Sequence, residues 1–124
     1  MEQIERFDLE GAENMRIRIP RKIQTSVEDF FYDHIRYQKG ITLKDAYLHC
    51  AQKAIQAYKN DSAVFYKHLT IIEEDERSKE SLMLLPKNIS LDIKHLKEGL
   101  NLKNKRRALL SAINIGLILF KEGV

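Results

Sequence analysis

A chain of 124 residues, 44% hydrophobic and 31% charged, can bury one core but not two large ones, and it is too apolar to stay disordered. The formal charge is only +3, yet residues 1–14 carry five acids (Glu2, Glu5, Asp8, Glu10, Glu13) against Arg6 alone, and Glu73-Glu74-Asp75-Glu76 forms a second acidic run. What remains is a basic body with two acidic segments attached, a balance that suits a polyanionic partner, although many soluble proteins are as basic without one.

The single cysteine, Cys50, excludes an intramolecular disulfide and points to a reducing compartment. The acidic N-terminus fits no signal peptide. The longest apolar stretch, 108–120, is broken by Ser111, Asn114 and Gly116 and is too short for a bilayer span. A soluble, cytoplasmic protein is expected.

In chain order, 1–14 has little periodicity and reads as a flexible acidic arm. Met15-Arg16-Ile17-Arg18-Ile19-Pro20 then alternates strictly. A period of two turns Ile17 and Ile19 to a core and leaves Arg16 and Arg18 together on the other face. Forked guanidinium groups placed side by side can meet guanine edges or phosphates, and an ordinary amphipathic edge strand would look the same. Pro20-Arg21-Lys22 reads as a turn. Thr25 with Glu28 resembles a capping box that opens a helix over 26–38, with Val27, Phe30, Phe31 and Ile35 as its apolar stripe. Gly40 is a left-handed cap. Thr42, with Asp45 three residues on, caps a second helix that runs to Lys59 and stops at Asn60-Asp61-Ser62.

The second half echoes the first. Leu82-Met83-Leu84-Leu85-Pro86 is a short run ended by proline; Ile89, Ile93, Leu96 and Leu100 follow at helical spacing, and Gly99 closes the helix. Gly99-Leu100-Asn101-Leu102-Lys103 then matches Gly40-Ile41-Thr42-Leu43-Lys44 in residue type, which makes Asn101 the cap of a last helix ending at Lys121. That helix is apolar almost all round between 109 and 120, so the middle of the core is its place. The pattern divides the chain into an arm (1–14), a strand–helix–helix unit (15–60), a connector (61–78) and a second unit (79–124), within one compact domain. The connector's Val64-Phe65-Tyr66 and Leu69-Thr70-Ile71-Ile72 are too apolar for a bare linker. They fit a short helix packed on the body, or a strand forming a hairpin with 82–85, which would undo the repeat.

Alternating basic residues on a strand, followed by two helices with Gly-x-[Thr/Asn]-x-Lys between them, resemble the ribbon–helix–helix family of DNA-binding proteins. Two copies in one small chain look most like its tandem members, the TraY-type accessory proteins of conjugative plasmids, related to Arc-like repressors. The resemblance implies a mainly α fold with a short two-stranded antiparallel ribbon, the two repeats forming an intramolecular pseudo-dimer. It implies a ribbon laid in the major groove and phosphates held at the amino ends of the second helices. Carried onto this chain, Arg16 and Arg18 would read bases. Thr42, Leu43 and Lys44 would form one phosphate clamp and Asn101, Leu102 and Lys103 the other, with Lys105, Arg106 and Arg107 adding charge beside it. The second strand departs from the pattern: Leu82 and Leu84 align with the two arginines, and Lys79 and Ser81 are the nearest polar residues. Either the ribbon reads DNA asymmetrically or the second half mainly completes the core.

The expected function is sequence-specific binding of double-stranded DNA, as a plasmid- or phage-type repressor, partition factor or relaxosome accessory protein. A monomer able to self-associate on DNA is expected, with the arm or the connector free to meet a protein partner. The alternative is a helical protein-interaction module without DNA binding. An enzyme is not expected, nor a cofactor or metal: His34, His49, His68 and His95 show no paired spacing, and one cysteine cannot build a zinc site.

Overall fold

Strand β1 (Glu13–Ile17) pairs antiparallel with β2 (Ser81–Leu85), Glu13 facing Leu85 and Ile17 facing Ser81. This ribbon, five helices and a π-helical turn make up the computed structural model, which describes residues 6–123. Pleating buries Met15 and Ile17 of β1 with Met83 and Leu85 of β2, and it turns Asn14, Arg16, Leu82 and Leu84 outward. The alternation at 15–19 therefore marks the right face, and Ile19 is buried as well. The strand itself sits two residues earlier than that alternation suggests. Its ladder stops at Ile17 because the connector takes up the backbone of Arg18: the Arg18 amide donates to the Glu74 carboxylate at 2.8 Å, and its carbonyl accepts from the Asp75 amide at 3.2 Å.

Glu13 and Asn14 thus belong to the ribbon and not to a flexible arm. Phe7 is also held, half-buried with its ring 5.1 Å from that of His49. Residues 1–5 of the expected arm lie outside the described residues.

Helix α1 (Arg21–Phe30) continues into a π-helical turn, Phe31–Ile35. It starts well before Thr25, so the Thr25–Glu28 capping box is not formed. Pro20 is the N-cap, at φ −55° and ψ 140°, and its carbonyl accepts from the amides of Ile23 and Gln24. Proline supplies a fixed φ at a helix start where its missing N–H is not needed. Beginning there lets Ile23 join Val27 and Phe30 on the buried stripe. Gly40 does take a left-handed conformation (φ 81°). Helix α2 (Leu43–Asn60) then opens on Thr42, and here the capping box is complete, with Asp45 returning the bond to the Thr42 amide.

The connector forms a six-residue helix, α3 (Ser62–Lys67), whose Phe65 is buried against Tyr58. Val64, Leu69 and Ile72 also pack on the core while Tyr66 and Ile71 stay exposed, and β2 pairs with β1 in place of a local hairpin. Helix α4 (Lys87–Gly99) follows Pro86, whose φ of −51° and ψ of 146° nearly repeat those of Pro20. Its end corrects the expected second cap. Asn101 has φ 54°; its amide donates to the Glu98 carbonyl and that of Leu102 to Lys97. This is a left-handed C-terminal cap with asparagine in glycine's usual place. Asn101 therefore closes α4, and α5 (Lys105–Glu122) is opened by Asn104, whose side chain accepts from the Arg107 amide at 2.9 Å.

The core lies between α2 and α5. Ten residues of α5, from Ala108 to Leu119, are buried, including Ser111. The two helices approach so closely that a Cβ on Gly116 would lie 1.8 Å from the Cys50 carbonyl oxygen. Among the described residues, no helix is long and apolar enough to cross a membrane.

Candidate nucleic-acid interface

Three features adjoin the ribbon. The first is its outer face, where Asn14 stands opposite Leu84 and Arg16 opposite Leu82. The Arg16 side chain is 73% exposed and reaches the Glu80 carboxylate at 3.4 Å. The second is the start of α2, where Lys44 Nζ donates to the Leu82 carbonyl at 2.7 Å and so fixes this helix end beside β2. The third is the start of α5. Lys105 Nζ donates to the Glu13 carboxylate at 2.5 Å and to the Ser90 hydroxyl at 2.8 Å, which fixes that end beside β1. Helix N-termini present amides without intrahelical acceptors and a partial positive charge, so both ends favour an anion.

Electrostatics separate the basic groups into two kinds. Lys105 is a structural cation: its hydrogen bond to Glu13 holds that carboxyl below its ordinary value, against the opposing pull of partial burial. Arg18, Arg106 and Arg107 instead meet the connector. Arg106 Nε pairs with Glu74 at 2.7 Å, and Arg107 with Glu73 at 2.8 Å. The Arg18 guanidinium donates to the Ser78 carbonyl at 2.7 Å. Together with Arg16, these arginines wall a cleft of about 520 Å³ whose other wall is Glu73, Glu74, Glu76 and Glu80.

Comparison with known protein families, with curated proteins and with solved structures gives no match.

The residues singled out from sequence are thus brought together only in part. Thr42, Leu43 and Lys44 do form the start of α2, with Leu43 packed against the core, so only its amide can face a ligand. Arg106 and Arg107 lie in the first turn of α5. Asn101, Leu102 and Lys103 precede that helix, and Leu102 packs against the core. Asn104 takes the place assigned to Asn101. Arg18 lies past the end of β1, half-buried.

Two residues of this face escaped the sequence reading. Asn14 was visible as one more step back in the 14-16-18 alternation, hidden by its place beside the acidic segment. Asn104 offered the same signal as Asn101, an asparagine ahead of a helix, and only the backbone conformation tells them apart. Cys50 is fully buried, and burial pushes its thiol above the ordinary value, which suits a core residue and not a nucleophile. Among the described residues, no group of three or more His, Cys, Asp or Glu could hold a metal ion.

Proposed function

We propose that this chain binds double-stranded DNA as a tandem ribbon–helix–helix module, an intramolecular pseudo-dimer that lays the outer face of its ribbon in the major groove. The observation that carries the reading is the antiparallel pairing of β1 with β2, which sets an exposed arginine on a two-stranded ribbon between two helix N-termini. The cross-over of the contacts supports the pseudo-dimer: α2 is fixed to β2 through Lys44, and α5 to β1 through Lys105. The matched Pro20 and Pro86 helix starts point the same way. Roles as repressor, partition factor or relaxosome accessory protein all suit such a module.

The outer face is lopsided, with Asn14 and Arg16 on one strand against Leu84 and Leu82 on the other. Arginine reads guanine through two hydrogen bonds and asparagine can read adenine, whereas leucine offers a thymine methyl only apolar contact. The preferred site is therefore specified on one side and loosely T-rich on the other. Selection from random duplexes, followed by binding titrations over a range of salt, tests this. Arg16→Ala should weaken the selected site by about 1–3 kcal/mol and leave random duplex nearly unchanged. An absence of salt-sensitive duplex binding overturns the reading, and a palindrome centred under a single chain overturns the asymmetry.

A protein-interaction module without DNA binding is the second reading. It is favoured by the pairing of Arg106, Arg107 and Arg16 with glutamates of this same chain.

A further inference from the structure

We propose that segment 73–80 is an autoinhibitory strap, which lays glutamates on the arginines of the interface and must be displaced when duplex DNA binds. The inference rests on the DNA-binding reading above and adds its regulation.

The chemistry of the contacts is that of a phosphate backbone in miniature. Carboxylate oxygens of Glu73 and Glu74 sit 2.8 and 2.7 Å from the guanidinium nitrogens of Arg107 and Arg106. Arginine recognises carboxylate and phosphate with the same planar fork. Glu74 does more, since its second oxygen accepts the Arg18 amide at 2.8 Å. One side chain therefore joins the edge of the ribbon to the first turn of α5. Glu80 lies diagonally across the ribbon from Arg16 and reaches it at 3.4 Å. A polyanion following this face would need the positions these carboxylates hold.

The strap is also built to leave. Between Leu69 and Glu80 the chain has neither helix nor strand. It is anchored at one end, where Leu69 and Ile72 pack on the core and the Ile72 amide donates to the buried Ser111 hydroxyl at 2.9 Å. At the other end it runs directly into β2. Between these anchors backbone bonds run from Asp75 to Arg18 at 3.2 Å and from Ser78 back to Asp75 at 2.9 Å, and side chains of Arg16, Arg18, Arg106 and Arg107 supply further ties. Those contacts are partly open to solvent: the Arg106 and Glu73 side chains are 44% and 66% exposed, and their partners Glu74 and Arg107 25% and 30%. Exposed ion pairs are individually weak and salt-screened, so a run of phosphates can replace them as a set. The cover is one-sided, because the start of α2 is not among the residues of this cleft.

The test compares three full-length proteins binding a labelled random-sequence duplex. They are the wild type; a strap variant with Glu73, Glu74, Glu76 and Glu80 changed to Gln; and a charge control with Glu10, Asp29, Asp33 and Glu98, all exposed, changed to the matching amides. Glutamine keeps an acceptor for the Arg18 amide, and circular dichroism checks that each protein is folded. The strap variant should bind about tenfold tighter than the control, with a steeper fall of affinity with salt, because its arginines meet phosphates without first releasing carboxylates that recapture cations. If the fourfold variant fails to fold, Glu73→Gln with Glu76→Gln should give a smaller gain of the same sign. Equal affinities for strap variant and control, with wild type binding, overturn the strap and leave the DNA reading standing. Absence of binding by all three proteins overturns both.

Discussion

Helices α2 and α5 have the same length, 18 residues each, and lie against one another, but their N-termini are finished in opposite ways. Helix α2 carries its own acid: Asp45 sits in the first turn and closes the capping box with Thr42. Helix α5 has no acid there. It begins Lys105-Arg106-Arg107 and takes its carboxylates from elsewhere, from Glu13, Glu74 and Glu73 respectively. Positive side chains at a helix start oppose the macrodipole, so α5 depends on acids from other segments where α2 does not. An acid three residues from the cap is a fixed feature of the helix, whereas one brought by a separate segment can be withdrawn. Only the second arrangement can be switched.

The largest expected effect breaks the contact on which this comparison depends. Alanine in place of glycine inside a helix normally gains up to about 1 kcal/mol. At Gly116 the new Cβ would meet the backbone of Cys50, so Gly116→Ala should instead destabilise by about 3 kcal/mol as α2 and α5 are forced apart, measured by urea unfolding. A smaller loss, about 1–2 kcal/mol, is expected from Ser111→Ala, which leaves the half-buried Ile72 amide without its acceptor. Hydrogen exchange at Ile72 should quicken in the same protein, while exchange at the α2 start stays unchanged.

The caps compare the two helix starts directly. Thr42→Ala and Asn104→Ala should each cost about 1 kcal/mol, with Thr42 the more costly because its hydroxyl also donates to the Asp45 carboxylate at 3.0 Å. Equal losses would mean that this hydroxyl–carboxylate bond adds nothing. The smallest effect belongs to Glu13→Gln, less than about 1 kcal/mol near neutral pH for a contact so exposed. Its pH dependence has a definite sign. The carboxyl of Glu13 is held below its ordinary value of 4.5, so its contribution is complete above that value and disappears as pH falls through the lowered one. The gap in urea midpoint between wild type and variant should therefore close in acid.

The sequence showed most clearly what a short window determines. Alternation at 15–19 marked the buried face of the ribbon, Thr42 with Asp45 marked a helix start, and the all-round apolar 109–120 marked the centre of the core. It misled where one local signal has two structural meanings. Thr25-x-x-Glu28 has the spacing of a cap but lies inside α1, because Pro20 starts the helix first. Asn101 and Asn104 are equally good caps on paper, yet one adopts positive φ and ends α4 while the other begins α5. The uneven spread of charge was plain as well, but not its consequence. Arg106 and Glu74 are 32 residues apart and Arg18 and Glu74 are 56; no periodicity links positions that far apart, and only the path of the connector brings them together.

The ribbon has one further consequence, for how the chain acquires its shape. Ile17 and its partner Ser81 are separated by 64 residues, so the two strands cannot find each other as a hairpin does, in microseconds and by local search. The intervening helices must first bring them close, which makes the ribbon a late event and leaves β1 with unpaired backbone while the rest collapses. During that interval β2 of another copy is chemically equivalent to the chain's own. The covalent connection favours the internal partner through an effective concentration in the millimolar range, and crowded refolding erodes that advantage. Refolding at high protein concentration should therefore yield strand-exchanged dimers, and dilute refolding monomers.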